Sequence, residues 1–293
     1  MSRRVPWPEV FTGTILLIAT ATMAARSPGR PGVAHAALFH AELLGGYLLL
    51  AVTLALLAPG RAWAGAIRGI AVVAVMFTLY TSLGLGGFEA MPWTGDASLA
   101  AVDRALFLGS VPHLWVDAHV TPGRLEFFSF VYGLFIPILY MSIFLGIVGR
   151  PDHEREEFFA GFAFLYACAF LGYLFLPSRG PVEFYDGAFP APLSGGTFHH
   201  LILNAVASTG GNLGAFPSLH VGATAYTVLF DARHNRLRAW TYLPVLLLIA
   251  AATLVLRYHY VIDLLAGAFL AWIAARLAPR LVGSIGAVRA GAT

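Results

Sequence analysis

The sequence predicts an all-α, polytopic transmembrane bundle of about eight helices, with a six-helix core and one amphipathic helix at the surface. Three observations carry that prediction. Of 293 residues, 58% are hydrophobic and 11% charged, against roughly 25% charged in a soluble domain. Several apolar runs reach the ~17–25 residues that cross a bilayer as a helix. All 18 basic residues are arginine and stand singly between those runs, where membrane proteins carry their topology signals.

The runs follow one another as Val10–Ala25, Val33–Ala58, Ala62–Leu83, Phe127–Val148, Phe158–Leu176, Pro217–Phe230, Ala239–Leu256 and Tyr260–Leu277. The first follows Arg3 and Arg4 with no small-residue cleavage site, so it reads as a retained helix and not a signal peptide. The sixth is short and is expected to continue into Asp231–Arg238. Residues 1–60 form an N-terminal pair of helices; residues 61–293 form the core, with long connections at 84–126 and 177–216. In the first connection Leu99, Val102 and Leu106 recur at helical spacing around Asp103 and Arg104, which predicts an interfacial amphipathic helix. The second is rich in proline and glycine, and loops of that length are usually functional or disordered.

The net charge of +3 and pI of 9.2 do not point to nucleic acid, because the arginines are dispersed. Cys168 is the single cysteine, which excludes an intrachain disulfide and a cysteine-rich metal site. No cofactor, metal or obligate protein partner is implied. The Ala/Gly/Arg bias suggests a bacterial chain, hence an inner-membrane location. With both termini cytoplasmic, twelve arginines lie inside. Six lie outside: Arg26, Arg30, Arg104, Arg124, Arg179 and Arg257. That asymmetry supports the orientation and places both long connections on the extracytoplasmic face.

Two polar clusters interrupt the apolar pattern: Phe216-Pro217-Ser218-Leu219-His220 and Arg257-Tyr258-His259-Tyr260-Val261-Ile262-Asp263. Ionisable groups at the edge of lipid point to function. His259 and Asp263 are four apart, so a helix puts them on one face. There a carboxylate can fix the imidazole tautomer and raise the nucleophilicity of the other nitrogen; an ordinary helix-end polar pair has the same spacing. Ser218 suits an N-cap, and the helix N-terminus it opens suits phosphate. His220, in that first turn, faces the same pocket. Arg179 and Arg257 could grip phosphate oxygens or snorkel to headgroups. Alternation puts the end of the fifth helix, the start of the sixth and the turn between the seventh and eighth on one membrane face.

The other polar residues suggest surface roles. His35, His40 and Glu42 read as a headgroup-level patch on one helix face. His199 and His200 read as outer-loop surface that could touch substrate. His113, Asp117 and His119, near Trp115, read as interfacial. Glu154, Glu156 and Glu157 read as a solvated inner turn.

At these residues the chain resembles the type 2 phosphatidic acid phosphatase superfamily of membrane lipid phosphatases and phosphotransferases, over about Phe158 to Gly267. The second motif there reads Pro-Ser-Gly-His, here Pro217-Ser218-Leu219-His220. The third ends in a histidine four residues before an aspartate, here His259 and Asp263. The leucine variant, the His-Tyr-x-x-Asp pattern, Gly267 and the Asp103–Gly109 stretch are most similar to the inositol phosphorylceramide synthase branch. The resemblance implies that His259 attacks phosphorus, that Asp263 orients it, and that His220 protonates the leaving oxygen and then activates the acceptor. Arg179, Gly180, Ser218, Arg257 and backbone N–H groups would hold the phosphate, without metal. Two cations of the phosphatase pattern are missing: a lysine at Gly172 and an arginine at Thr253.

The expected activity is transfer of a phosphoryl or phospho-headgroup unit from a membrane lipid phosphoester donor to a hydroxyl acceptor, which is a lipid, a polyol or water. With water as acceptor the protein is a lipid phosphate phosphatase of the phosphatidic acid or polyprenyl phosphate type. Two other classes are a metal-dependent hydrolase using His220, His259 and Asp263 as ligands, and a transporter, whose internal repeats the sequence lacks.

Overall fold

The computed structural model describes residues 6–59, 61–84, 91–208 and 213–290. Arg3, Arg4 and the stretches 85–90 and 209–212 of the two long connections lie outside the described residues. Among these residues the architecture is all-α, with no strand beyond an isolated bridge between Ser178 and Gly214.

The main bundle elements are α1 (Trp7–Arg26), α2 (Pro31–Leu57), α3 (Ala62–Gly84), α6 (Pro122–Gly133) running into α7 (Phe135–Ile147), α8 (Asp152–Phe175), α11 (Leu219–His234), α12 (Arg236–Val255) and α13 (Val261–Ala290). Between them lie α4 (Asp96–Leu106), α5 (Pro112–Asp117), the short α9 (Pro181–Phe184) and α10 (Thr197–Ser208). Seven segments, with α6–α7 taken as one, are long and apolar enough to span a bilayer. The expected eighth, α11, has 16 residues and is held among α8, α12 and α13. The chain is a multi-pass membrane protein.

Helix α8 is the centre of the bundle. Phe158, Phe162, Phe170 and Tyr173 along it are buried, and α1, α3, α11 and α13 pack around it. Ile15, Leu16 and Met23 of α1 join the same apolar core. The run expected over Phe127–Val148 begins earlier, at Pro122, with Thr121 capping Arg124 N, and it breaks at Leu134. The Leu134 N–H is shared between the carbonyls of Phe130 and Val131 at 3.1 and 3.2 Å, a tightened turn between α6 and α7.

Several surface expectations are corrected. His40 is buried and bonded through Nε2 to Ser82 Oγ at 2.7 Å, while His35 and Glu42 are exposed. Five residues advance a helix by about 1.4 turns, so His35 and His40 cannot share a face. His199 is buried in α10 against Ser129, not on a loop. The start of that helix is capped by the Glu126 carboxylate, which accepts from Phe198 N and His199 N at 3.0 and 3.1 Å. Glu157 is not solvated: α8 begins at Asp152, which turns Glu157 inward to meet Arg233 and, at 3.2 Å, His234 Nε2. Beside it Asp231 pairs with Arg150 at 3.0 Å and with Arg238.

The amphipathic helix α4 exists, but its faces are the reverse of the expectation. Asp96, Leu99, Ala100 and Asp103 are buried; Val102 and Leu106 are 41% and 51% exposed. The two carboxylates point inward because unpaired backbone N–H groups await them there.

Candidate active site

Four segments from distant parts of the chain meet at one end of the bundle. Helices α11 and α13 cross so closely that a Cβ on Gly267 would run into the Ser218 carbonyl oxygen. Ser218 N donates to Asp263 O at 3.0 Å, tying the second motif to the third. Val182 N donates to Arg257 O at 2.8 Å, tying in the first. Gly180 has φ +85°, and its missing Cβ leaves room for the Tyr258 carbonyl, so no other residue fits that contact without strain.

The two histidines are in direct contact, with His220 Nδ1 3.2 Å from His259 Nε2. His259 is buried, and its Nδ1 lies 2.8 Å from the Ala215 carbonyl oxygen. A carbonyl only accepts, so Nδ1 carries the proton and Nε2 presents its lone pair toward His220. His220 therefore donates through Nδ1. Its ring is flanked by Tyr132 and Phe135, with centroids 4.6 and 4.4 Å away. The break at Leu134 brings both aromatics onto that one ring.

Asp263 lies beside the Nδ1 edge of the His259 ring. Its Oδ2 stands 3.4 Å from His259 Nδ1 and accepts from Tyr260 N at 2.8 Å. The closer partner of the imidazole is the Ala215 carbonyl, and the carboxylate lends negative charge behind it. Asp263 thus faces Nδ1 while His220 faces Nε2, on the opposite side of the ring. The three groups do not converge on a point as metal ligands must.

The residues expected to grip phosphate have partners within the fold. The N–H groups of Arg179 and Gly180 are already taken, since Asp96 accepts from Arg179 N at 3.0 Å and from Gly180 N at 2.9 Å. The Arg179 side chain is 55% exposed and, among the described residues, pairs with Glu183. Arg257 is buried with φ +59°. It pairs with Asp117, donates to Ala191 O at 3.1 Å and lies 3.7 Å over the Phe189 ring. Its charge is therefore compensated within the fold. Ser218 caps α11 as expected, accepting from Val221 N at 3.4 Å, which leaves its hydroxyl proton for another acceptor.

A family model described as the PAP2 superfamily matches residues 97–277, from α4 into α13 and more than half of the chain. The chain belongs to the PAP2 superfamily. No curated protein and no solved structure matches it. Membership puts the chain in a family of lipid phosphatases and phosphotransferases. Its departures from the PAP2 pattern have local causes. A Cβ at Gly172 would meet Pro217 Cδ and, at 2.7 Å, the Phe216 carbonyl, so α8 touches the second motif where the lysine would stand. Thr253 is fully buried and bonds to Ala250 O at 2.8 Å, a place with no room for a guanidinium.

Sequence reasoning missed Asp96, His113 and Asp117 as parts of this PAP2 site and placed Asp103 on a membrane surface. The available signal was the spacing of Asp96, Leu99, Ala100 and Asp103, an i, i+3, i+4, i+7 stripe with a carboxylate at each end.

Proposed function

We propose that this protein is a lipid phosphotransferase working through a phosphohistidine at His259. The observation that carries the reading is the histidine pair: Nδ1 of His259 anchored on a carbonyl, and Nε2 facing a proton on His220. The Nε2 lone pair forms the N–P bond as the P–O bond to the leaving alcohol breaks. His220, as the imidazolium, passes its Nδ1 proton to that oxygen and is left neutral. In the second half His220 takes the proton of the acceptor hydroxyl, whose oxygen attacks phosphorus and releases His259. Asp263 offsets the positive charge that the ring gains. In-line transfer needs phosphorus between the two nitrogens, so the 3.2 Å contact is a resting state that substrate parts.

The donor is a phosphodiester. Arg257 is neutralised by Asp117, Gly172 and Thr253 supply no cation, and Arg179 is the arginine left to meet the anion. A diester carries one negative charge and needs less compensation than a dianionic monoester. This charge balance supports the inositol phosphorylceramide synthase-like branch. The excess of arginine at the other end of the bundle supports an extracytoplasmic site with both termini in the cytoplasm. Superfamily membership equally favours a phosphatase with water as acceptor.

Purified protein in mixed micelles, given a radiolabelled phosphodiester lipid with and without a hydroxyl acceptor, separates the two. Transfer predicts labelled acceptor that rises with acceptor concentration; free phospho-headgroup in every tube means a hydrolase. His259→Ala should lower turnover at least about 10³-fold, the scale on which removing a nucleophile acts, and should abolish acid-labile labelling of the protein.

A further inference from the structure

Side chains of the 84–126 connection hold several backbone groups around the proposed nucleophile. Asp103 accepts from Val261 N and Ile262 N, both at 2.9 Å. His113 Nε2 donates to the His259 carbonyl at 2.8 Å. The Tyr260 hydroxyl donates to Asp96 at 3.0 Å, and the same carboxylate holds Arg179 N and Gly180 N. Gly95 N, just before α4, donates to Pro177 O at 2.7 Å. Asp96 and Asp103 are 2% and 1% exposed, and Leu99, Ala100, Tyr185 and Tyr260 close an apolar seal between them.

We infer that Asp96 and Asp103 are positioning residues that lock the arginine loop and the nucleophile turn into one register. Seven residues separate them, two helical turns or about 10 Å, and α4 is the bar that joins the two grips. A movement of α4 carries Arg179 and His259 together. The carboxylates act through backbone N–H groups and touch no reacting atom, so their loss should lower kcat and leave KM nearly unchanged. His113 adds the third grip, on the carbonyl of the nucleophile itself. The inference rests on the reading of His259 as nucleophile, but its geometric content stands apart from any substrate.

The test uses the full chain labelled with ¹⁵N-histidine in lipid nanodiscs, with the His259 resonances assigned by their loss in His259→Asn. Asp103→Asn keeps one acceptor oxygen and turns a donor toward the second N–H; Tyr260→Phe removes a single oxygen from the Asp96 grip. Either variant should shift the Nδ1 and Nε2 signals of His259 and its titration, while thermal unfolding stays cooperative. Turnover of the phosphodiester lipid should fall about tenfold or more in kcat for Asp103→Asn with KM within about twofold, and Asp103→Glu should recover part of it. His259 signals and titration unchanged in both variants would overturn the inference, whether or not the lipid is turned over. Shifted signals in a protein that processes no phosphodiester would uphold the clamp and fail the proposed function instead.

Discussion

His113 shows how one buried side chain sets a pH limit. Its Nε2 must carry the proton donated to the His259 carbonyl, so Nδ1 is bare, and it is buried with no partner among the described residues. Burial pushes the ring below the ordinary histidine value of 6.5. The unfolded chain then binds more protons than the folded one as pH falls below 6.5, and stability drops with it. His113→Gln keeps an N–H donor and removes the titration. The variant should lose part of the acid destabilisation seen by thermal melts between pH 7 and 5. A remainder persists because burial also lowers His199. Legibility at this scale divided by chemistry. His259, His220 and Asp263 stood out because their side chains bear the reactivity, although His259 lies in the turn before α13 and not on one helix face with Asp263 as the spacing suggested. Asp96 and Asp103 were not, because their partners are backbone N–H groups, which have no signature in the sequence.

At the scale of elements, apolar runs located the seven spanning helices, since hydrophobic length is what a bilayer demands, but α8 begins six residues earlier and α13 ends thirteen later than the apolar runs did. The break at Leu134 was hidden because the apolar run continues unbroken through it. Close helix contacts were hidden for the opposite reason: a glycine marks nothing until its neighbour is known. Gly172 makes that testable. Gly172→Lys would restore the lysine of the phosphatase pattern but drive it into Pro217 and the Phe216 carbonyl. Overpacking of this kind costs about 1–3 kcal/mol. The variant should melt lower in detergent and should not gain turnover of phosphatidic acid, a monoester. A stable variant with new monoesterase activity would show that α8 and the second motif can separate.

At the scale of the whole molecule, the two ends of the bundle differ in kind. One end gathers the histidine pair and inward-facing carboxylates. The other gathers Arg150, Arg233 and Arg238 around Glu157 and Asp231. The proposed orientation rests on the arginine count, and Cys168, the single native cysteine, makes it measurable. With Cys168→Ala as background, cysteine at position 115, where Trp115 is 70% exposed, should react with an impermeant maleimide on intact cells. Cysteine at position 153 should react only after permeabilisation. The reverse pattern would invert the proposed topology.

Helix α4 carries its carboxylates inside and leaves Val102 and Leu106 outside, with Leu108 beyond it 96% exposed. Such a helix has its polarity turned inside out relative to one that floats on a soluble core, and water is a poor neighbour for its outer surface. Acyl chains are the natural cover. A bilayer against that surface would back the two carboxylates from outside. Under the proposed function, the rate would then respond to the lipid packing around α4, which turnover in vesicles of differing acyl composition measures.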